Sequence, residues 1–290
     1  MMQTLKGVRH LQSTAMRQTV SELSVPVPWG HIKGKVWGPD NGCPVLCVHG
    51  WADNCGSFNT LIPLLPKALQ WNKFSIIGHS MGGNVAGLFS ALYPEMVDAV
   101  VLLDSFGFLP TVLKEVPKVM RQGMDEILQF EKKTGEKRGK VYSYQKAAER
   151  LSAGNPTLSE QSVHILLQRG LDRVEGGVVF SRDFRINLNN IERISLEQSL
   201  EMQSRIKASI LVVLADDGLE KMFAEQDQKR FTSSLLQAYR DRNHSVVTVP
   251  GDHHIHLNDP GVVAPLVSDF LLTKVLAHSK RLIDEPASKL

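Results

Sequence analysis

The sequence predicts an α/β fold: a mostly parallel sheet with helices on both faces and a helical cap inserted between two sheet strands. Three observations carry this. Short, nearly all-apolar runs recur along the chain and end in glycine, aspartate or proline, as strands buried on both faces do. Stretches of helical periodicity separate them, the alternation that builds parallel sheets. One long block, Phe106 to Lys207, is helical and charge-rich instead and reads as the cap.

In chain order, the first twenty residues carry Lys6, Arg9 and Arg17 and no acid before Glu22. They lack an apolar stretch of secretory length, so residues 1–20 are expected to be a flexible extension, with a mitochondrial presequence as the alternative. Glu22 to Val36 alternates around Pro28-Trp29-Gly30, which predicts an antiparallel hairpin. Val45-Leu46-Cys47-Val48 ends at His49-Gly50, and Phe74-Ser75-Ile76-Ile77 ends at Gly78. Val100 to Leu103 ends at Asp104, Ile210 to Leu214 leads to Asp216-Asp217, and Ser245 to Val249 ends at Pro250-Gly251. Helical patterns cover Asn84–Leu92, Met222–Tyr239 and Gly261–Ala277. Within the block, Val178-Val179-Phe180 is the strand candidate, and Glu131 to Lys140 is a solvated loop by its charge and glycines. The plan is a core of 21–105 and 208–279, a cap of 106–207 and a flexible tail of 280–290.

Composition narrows the function. Of 290 residues 42% are hydrophobic and 22% charged, an ordinary globular balance. Lys+Arg 33 against Asp+Glu 30 leaves +3, which offers no electrostatic case for nucleic acid or an anionic membrane. No apolar run reaches the ~18 residues of a membrane span. Cys43 and Cys47 would stand about 13 Å apart on an extended strand, too far for a bridge. With Cys55 they fit small apolar roles in a reducing compartment.

Gly78-His79-Ser80-Met81-Gly82 matches the G-x-S-x-G nucleophile elbow, with an apolar strand before it and a helical pattern after it. A serine hydroxyl needs a base, and the base needs a carboxylate to orient it. In this type of fold the order is serine, acid, histidine. His253, His254 and His256 cluster after the last apolar strand, and one suffices as base. Asp216 and Asp217 are the acids at a preceding strand end, with Asp104 an earlier candidate; a helix cap is the structural role open to either of the later pair.

On VPWGHI, PVLCVHGWADN, WNKFSIIGHSMGG, YPEMVDAVVLLDS and VPGDHHIHLNDP the chain resembles the α/β-hydrolase superfamily and, within it, the serine hydrolase-like proteins. The resemblance implies the α/β-hydrolase fold, with Ser80 as nucleophile and the backbone N–H groups of Trp51 and Met81 as oxyanion hole. It further implies His253 as the base and Asp217 as the acid, with Asp216 one position away. Implied with these is a small acyl ester or related substrate, cleaved without cofactor or metal.

One departure stands out. Between His49-Gly50 and Gly78 there is sequence for one helix, Ser57 to Leu65, and not for the family's further strand and helix. An internal strand and a helix are therefore expected to be missing. Joining the two remaining strands directly, with that helix on its usual face, would make a left-handed crossover. Two readings follow: a working serine hydrolase, or a shortened, catalytically impaired or pseudoenzyme form of the same fold. Ser288-Lys289-Leu290 matches the peroxisomal import address, so the import receptor is an expected partner and the peroxisome the expected location, with the cytoplasm as alternative.

Overall fold

The computed structural model describes residues 20–28, 30–38, 43–65, 73–133, 140–223 and 225–276. Residues 1–19, the centre of the Glu131–Lys140 loop and the tail with Ser288-Lys289-Leu290 lie outside them. No described helix is long and apolar enough to cross a membrane.

The predicted hairpin is present. β1 (Val20–Val27) pairs antiparallel with β2 (Gly30–Trp37), Val20 opposite Trp37, and the two form a sheet of their own. The hairpin and the described residues from 43 onward fall into two separate compact units, so the hairpin, grouped with the core on sequence, is described by itself.

The larger unit opens with β3 (Val45–Val48), then β4 (Phe74–His79), α1 (Met81–Leu92) and β5 (Val97–Leu103). The inserted block follows with α2 (Val116–Lys133), α3 (Tyr144–Gly154) and α4 (Glu160–Gly170). It continues with a small antiparallel pair, β6 (Leu171–Val174) and β7 (Gly177–Phe180), which takes up the one strand candidate of that region. After α5 (Leu196–Ser204) come β8 (Ser209–Asp217), α6 (Gln226–Asp241), β9 (Ser245–Asp252), α7 (Ile255–Asn258) and α8 (Pro260–Leu271). The sheet is all parallel, in the order β3-β4-β5-β8-β9.

Strand side chains alternate between faces, and so does the core. Ile77, Val101, Leu103, Val213 and Val249 pack with Val263, Val267 and Phe270 of α8. Ile76, Val100, Leu102, Ile210 and Val212 pack with Ala86 of α1 and with Leu235, Leu236 and Tyr239 of α6. Each such side chain contributes about 1.5–3 kcal/mol by leaving water. Leu196 and Leu200 of α5 also pack against this second face, so the end of the inserted block serves the core. α4 instead packs Leu166 and Leu167 against Leu257 of α7, pinning the cap beside the chain that follows β9. Cys43 and Cys47 pack against the first core cluster as small apolar side chains, and none of the three cysteines is in a disulfide.

The connection from β3 to β4 is short. The helix expected over Ser57–Leu65 is replaced by two 3-10 turns, Cys55–Phe58 and Ile62–Leu64. Pro63 gives the physical reason, because it has no N–H for an α-helical ladder. No strand lies between β3 and β4 among the described residues, so β3 is the sheet edge, with Val45 38% and Leu46 51% exposed. Phe58 and Leu61 of this connection pack on the α8 face, whereas α1 and α6 cross on the other face. Since successive strands advance in one direction, the described part of the β3–β4 connection has the opposite hand to β4–α1–β5 and β8–α6–β9. Given a right-handed preference of about 98%, it is the left-handed member.

A chain with a strand-loop-helix unit of family type inserted between Pro66 and Ala68 is expected to be more stable. Each branched side chain newly buried against β3 adds roughly 1.5–3 kcal/mol. Urea midpoints of the two chains, measured side by side, check this; equal midpoints would show that the edge is already satisfied.

Candidate active site

Ser80 joins β4 to α1 with φ 51° and ψ −118°, a left-handed conformation that costs a non-glycine residue about 1–3 kcal/mol. The turn closes because its neighbours have no side chains: a Cβ on Gly78 would collide with the Gly82 carbonyl, and one on Gly82 with the Val48 carbonyl. Strand, strained serine and helix thus follow one another as the motif predicts, with Ser80 N–H donating to Leu103 O at 3.1 Å.

His253, which follows β9, reaches the serine. Its Nε2 lies 3.0 Å from Ser80 Oγ, and its Nδ1 lies 2.5 Å from Asp104 Oδ2. A carboxylate accepts, so Nδ1–H donates to Asp104 and Nε2 keeps the lone pair that faces the serine hydroxyl. Asp104 ends β5 with φ 42° and is 1% exposed. Its Oδ1 accepts from Ala215 N–H at 3.0 Å and its Oδ2 from Leu219 N–H at 2.7 Å. Gly218 makes room for it, since a Cβ there would collide with the carboxylate.

This corrects the placing of the acid. Asp217, aligned on sequence with the partner of the histidine, is exposed and pairs with Lys221 Nζ at 3.1 Å. Asp216 is exposed as well and accepts from Gly251 N–H at 2.9 Å. The reason is strand order. β5 lies directly beside β4, so its end is level with Ser80, while β8 is one strand further away and turns its own acids outward. What β8 contributes is backbone N–H groups to Asp104.

The two expected oxyanion donors end neighbouring strands. Met81 is the first residue of α1, where N–H groups have no intrahelical acceptor. Trp51 follows β3; its indole Nε1 donates to Ile186 O at 2.7 Å, attaching this turn to the inserted block. The cap is tied to the histidine segment as well, through Asn258, whose Nδ2 donates to Thr157 O at 2.9 Å and to Asp252 Oδ2 at 2.8 Å. A cavity of about 110 Å³ lies between the turn after β3 and the inserted block, lined by Asp53, Asn54, Leu166, Leu167, Phe180 and Arg182 among others.

Sequence reasoning passed over the surroundings of His253. His79, His254 and His256 are buried beside it, with His79 ring centroids 4.7 Å from His253 and 4.1 Å from His256. Burial first, and then the neighbouring imidazoles, hold His79 well below the ordinary histidine pKa. Burial, then His254, pushes His256 down to about 3. The signal available in the sequence was the histidine spacing itself, together with the histidine inside the elbow motif.

A family model described as alpha/beta hydrolase fold matches residues 67–260. The serine hydrolase-like protein of Danio rerio is 46% identical over 309 residues, covering 93% of this chain and 94% of that protein. That match is longer than the 290-residue chain, so the relative has residues for which this chain has no counterpart. Serine hydrolase-like protein 2 of Homo sapiens is 34% identical over 297 residues, covering 87% of this chain and 94% of that protein. Among solved structures, a hypothetical protein from Pseudomonas aeruginosa aligns with a TM-score of 0.70 at 25% identity, covering 87% of this chain and 98% of that one.

The neutral histidines make stability depend on pH. His256 is neutral when folded down to about pH 3, whereas an unfolded histidine takes up its proton near pH 6.5. The unfolded chain therefore binds more protons in that window, and stability falls as pH drops through it. At pH 5 the loss from this one group is about 2 kcal/mol. The urea midpoint is expected to be lower at pH 5 than at pH 7.5, and His256→Leu to flatten the dependence; an unchanged slope in that variant would assign the effect to other groups.

Proposed function

Because the chain belongs to the α/β-hydrolase fold family, we propose that it is a serine hydrolase acting on a small acyl ester or related acyl substrate. The observation that carries this reading is the continuous contact from Asp104 through His253 to Ser80, with Ser80 on its strained turn. In this reading His253 Nε2 takes the hydroxyl proton as Ser80 Oγ attacks the acyl carbon. Asp104 stabilises the imidazolium that forms. The oxyanion is received by the N–H groups of Met81 and Trp51. His253 then passes its proton to the leaving oxygen, leaving an acyl group on Ser80. Water, deprotonated by the same imidazole, attacks the acyl carbon and restores the serine. No cofactor enters these steps.

The names of the relatives support the reaction class and leave the acyl group open. A second reading, a pseudoenzyme of the same fold, is favoured by the exposed strand β3, which Trp51 follows.

A fluorophosphonate probe separates the two. The wild-type chain is expected to be labelled, and Ser80→Ala not to be, with the same melting curve. Asp104→Asn is expected to slow labelling by roughly 10³–10⁴-fold, while Asp217→Asn leaves it within about twofold. A cooperatively melting wild-type chain that takes no label would establish the pseudoenzyme; equal slowing in both aspartate variants would remove Asp104 from its role.

We propose further that Ser288-Lys289-Leu290 is read by the peroxisomal import receptor. A fluorescent reporter ending in residues 271–290 is expected to collect in peroxisomes and to become diffuse without the tripeptide; a diffuse intact fusion would return the location to the cytoplasm.

A further inference from the structure

A second group of buried side chains lies beside the Ser80–His253 pair and has no part in the proposed reaction. Asp53 belongs to the turn after β3, His79 is the last residue of β4, and His254 precedes α7. Their side chains are 7%, 1% and 6% exposed. Asp53 Oδ2 stands 3.7 Å from His79 Nδ1 and 3.5 Å from His254 Nε2, and the three atoms lie within 4.8 Å of one another.

Hydrogen bonding fixes what His79 presents to this group. Its Nε2 lies 2.8 Å from the His253 carbonyl oxygen, which can only accept, so Nε2 carries the hydrogen and Nδ1 the lone pair. That lone pair faces a carboxylate oxygen. Neither His79 Nδ1 nor Asp53 Oδ2 has a hydrogen-bond partner among the described residues. Two acceptors facing each other in a dry interior repel, and burial without a donor is costly for each. A cation between them turns the repulsion into bonding. Gly50 keeps that space open, since a Cβ there would stand 2.8 Å from His79 Nδ1 and 3.1 Å from Asp53 Oδ2.

We propose that Asp53, His79 and His254 form a binding site for a first-row divalent transition-metal ion, with zinc the ion that suits them best. Two imidazole nitrogens and one carboxylate oxygen are a zinc-type donor set, and magnesium or calcium would call for oxygen donors throughout. Metal–ligand bonds of about 2.0–2.1 Å in a tetrahedron separate the donor atoms by about 3.3 Å. The two shorter separations are within a few tenths of an ångström of that. Three protein ligands leave a fourth position for water or an anion.

The ligands come from three separate segments, and each segment carries one part of the proposed machinery. Asp53 is two residues from Trp51, His79 precedes Ser80, and His254 follows His253. The ion therefore acts as a clamp that fixes the turn after β3, the elbow and the histidine segment to one point. This is independent of whether the chain hydrolyses anything.

The test uses the full chain, stripped with a chelator, desalted and titrated with zinc chloride. Retained metal is measured by mass spectrometry, and cobalt is substituted to read the visible bands of four-coordinate Co²⁺. The wild-type chain is expected to retain one zinc, to show those bands, and to melt roughly 5–10 °C higher at about a hundredfold excess over Kd. Asp53→Asn and His254→Gln are expected to lose both the retained ion and the shift. A wild-type chain that retains no zinc, or retains it without the four-coordinate cobalt spectrum, would overturn the site. Retention undiminished in both variants would overturn it equally, by placing the ion elsewhere. If Asp53→Asn does not melt cooperatively, His254→Gln and the wild-type metal content decide.

Discussion

The geometry of the site depends on one buried carboxylate. Asp104 is almost wholly removed from solvent, which disfavours a charge unless donors replace the lost water. Three do so: the Ala215 N–H from the end of β8, the Leu219 N–H from the turn after it, and Nδ1–H of His253 from the segment after β9. Each is a donor whose removal leaves the buried carboxylate short of a hydrogen bond, at a cost of about 1.5–3 kcal/mol. The ends of β5 and β8 and the His253 segment are therefore held together by a single side chain. The imidazole is aimed by rigid strand ends rather than by loop packing, which is what a base with an exacting distance to its nucleophile requires.

This dependence explains which parts were legible in the sequence. The strands were, because a run such as Val100 to Leu103, apolar at every position and closed by an acid, has few alternatives to a buried parallel strand. Ser80 was, because the elbow needs glycine where backbones touch, and Gly78 and Gly82 record that contact in one dimension. Asp104 was not singled out, since three aspartates close strands and nothing local distinguishes them. Choosing among them requires knowing that β5 lies between β4 and β8, which is a property of pairing across the chain. Gly218 held a clue of a different kind: the glycine beside Asp216 and Asp217 is the residue that admits the Asp104 carboxylate. The cluster of Asp53, His79 and His254 was illegible for the same reason as Asp104, its members being drawn from three segments distant in sequence.

The short β3–β4 connection was legible as a shortage of residues, and its consequence in three dimensions is unevenly spread. Strands β4, β5, β8 and β9 are paired as a complete parallel set with α1 and α6 on one face and α8 on the other. Ser80, Asp104 and His253 all stand on these four. The loss falls on β3, a four-residue strand that pairs with β4 alone among the described residues and has two exposed apolar residues. Of the groups assigned to the proposed reaction, Trp51 alone is carried by it.

That segment is nevertheless held from several sides that do not involve a neighbouring strand. Phe58 and Leu61, fully or almost fully buried, anchor the connection under the sheet against α8. The Trp51 indole bonds Ile186 on the inserted block, and Asn54 Nδ2 donates to Leu166 O at 2.9 Å on α4. Asp53 faces the histidines of β4 and of the segment before α7. The turn after β3 is thus positioned from the cap and from the site itself, while the strand beneath it has one partner among the described residues. In the proposed reaction this divides the consequences cleanly. Activation of Ser80 rests on contacts the short connection does not touch, whereas stabilisation of the oxyanion depends on how stiffly those tethers replace an absent strand. Any impairment of this chain relative to a full-length sheet therefore belongs to the charge-stabilising step and not to the formation of the nucleophile.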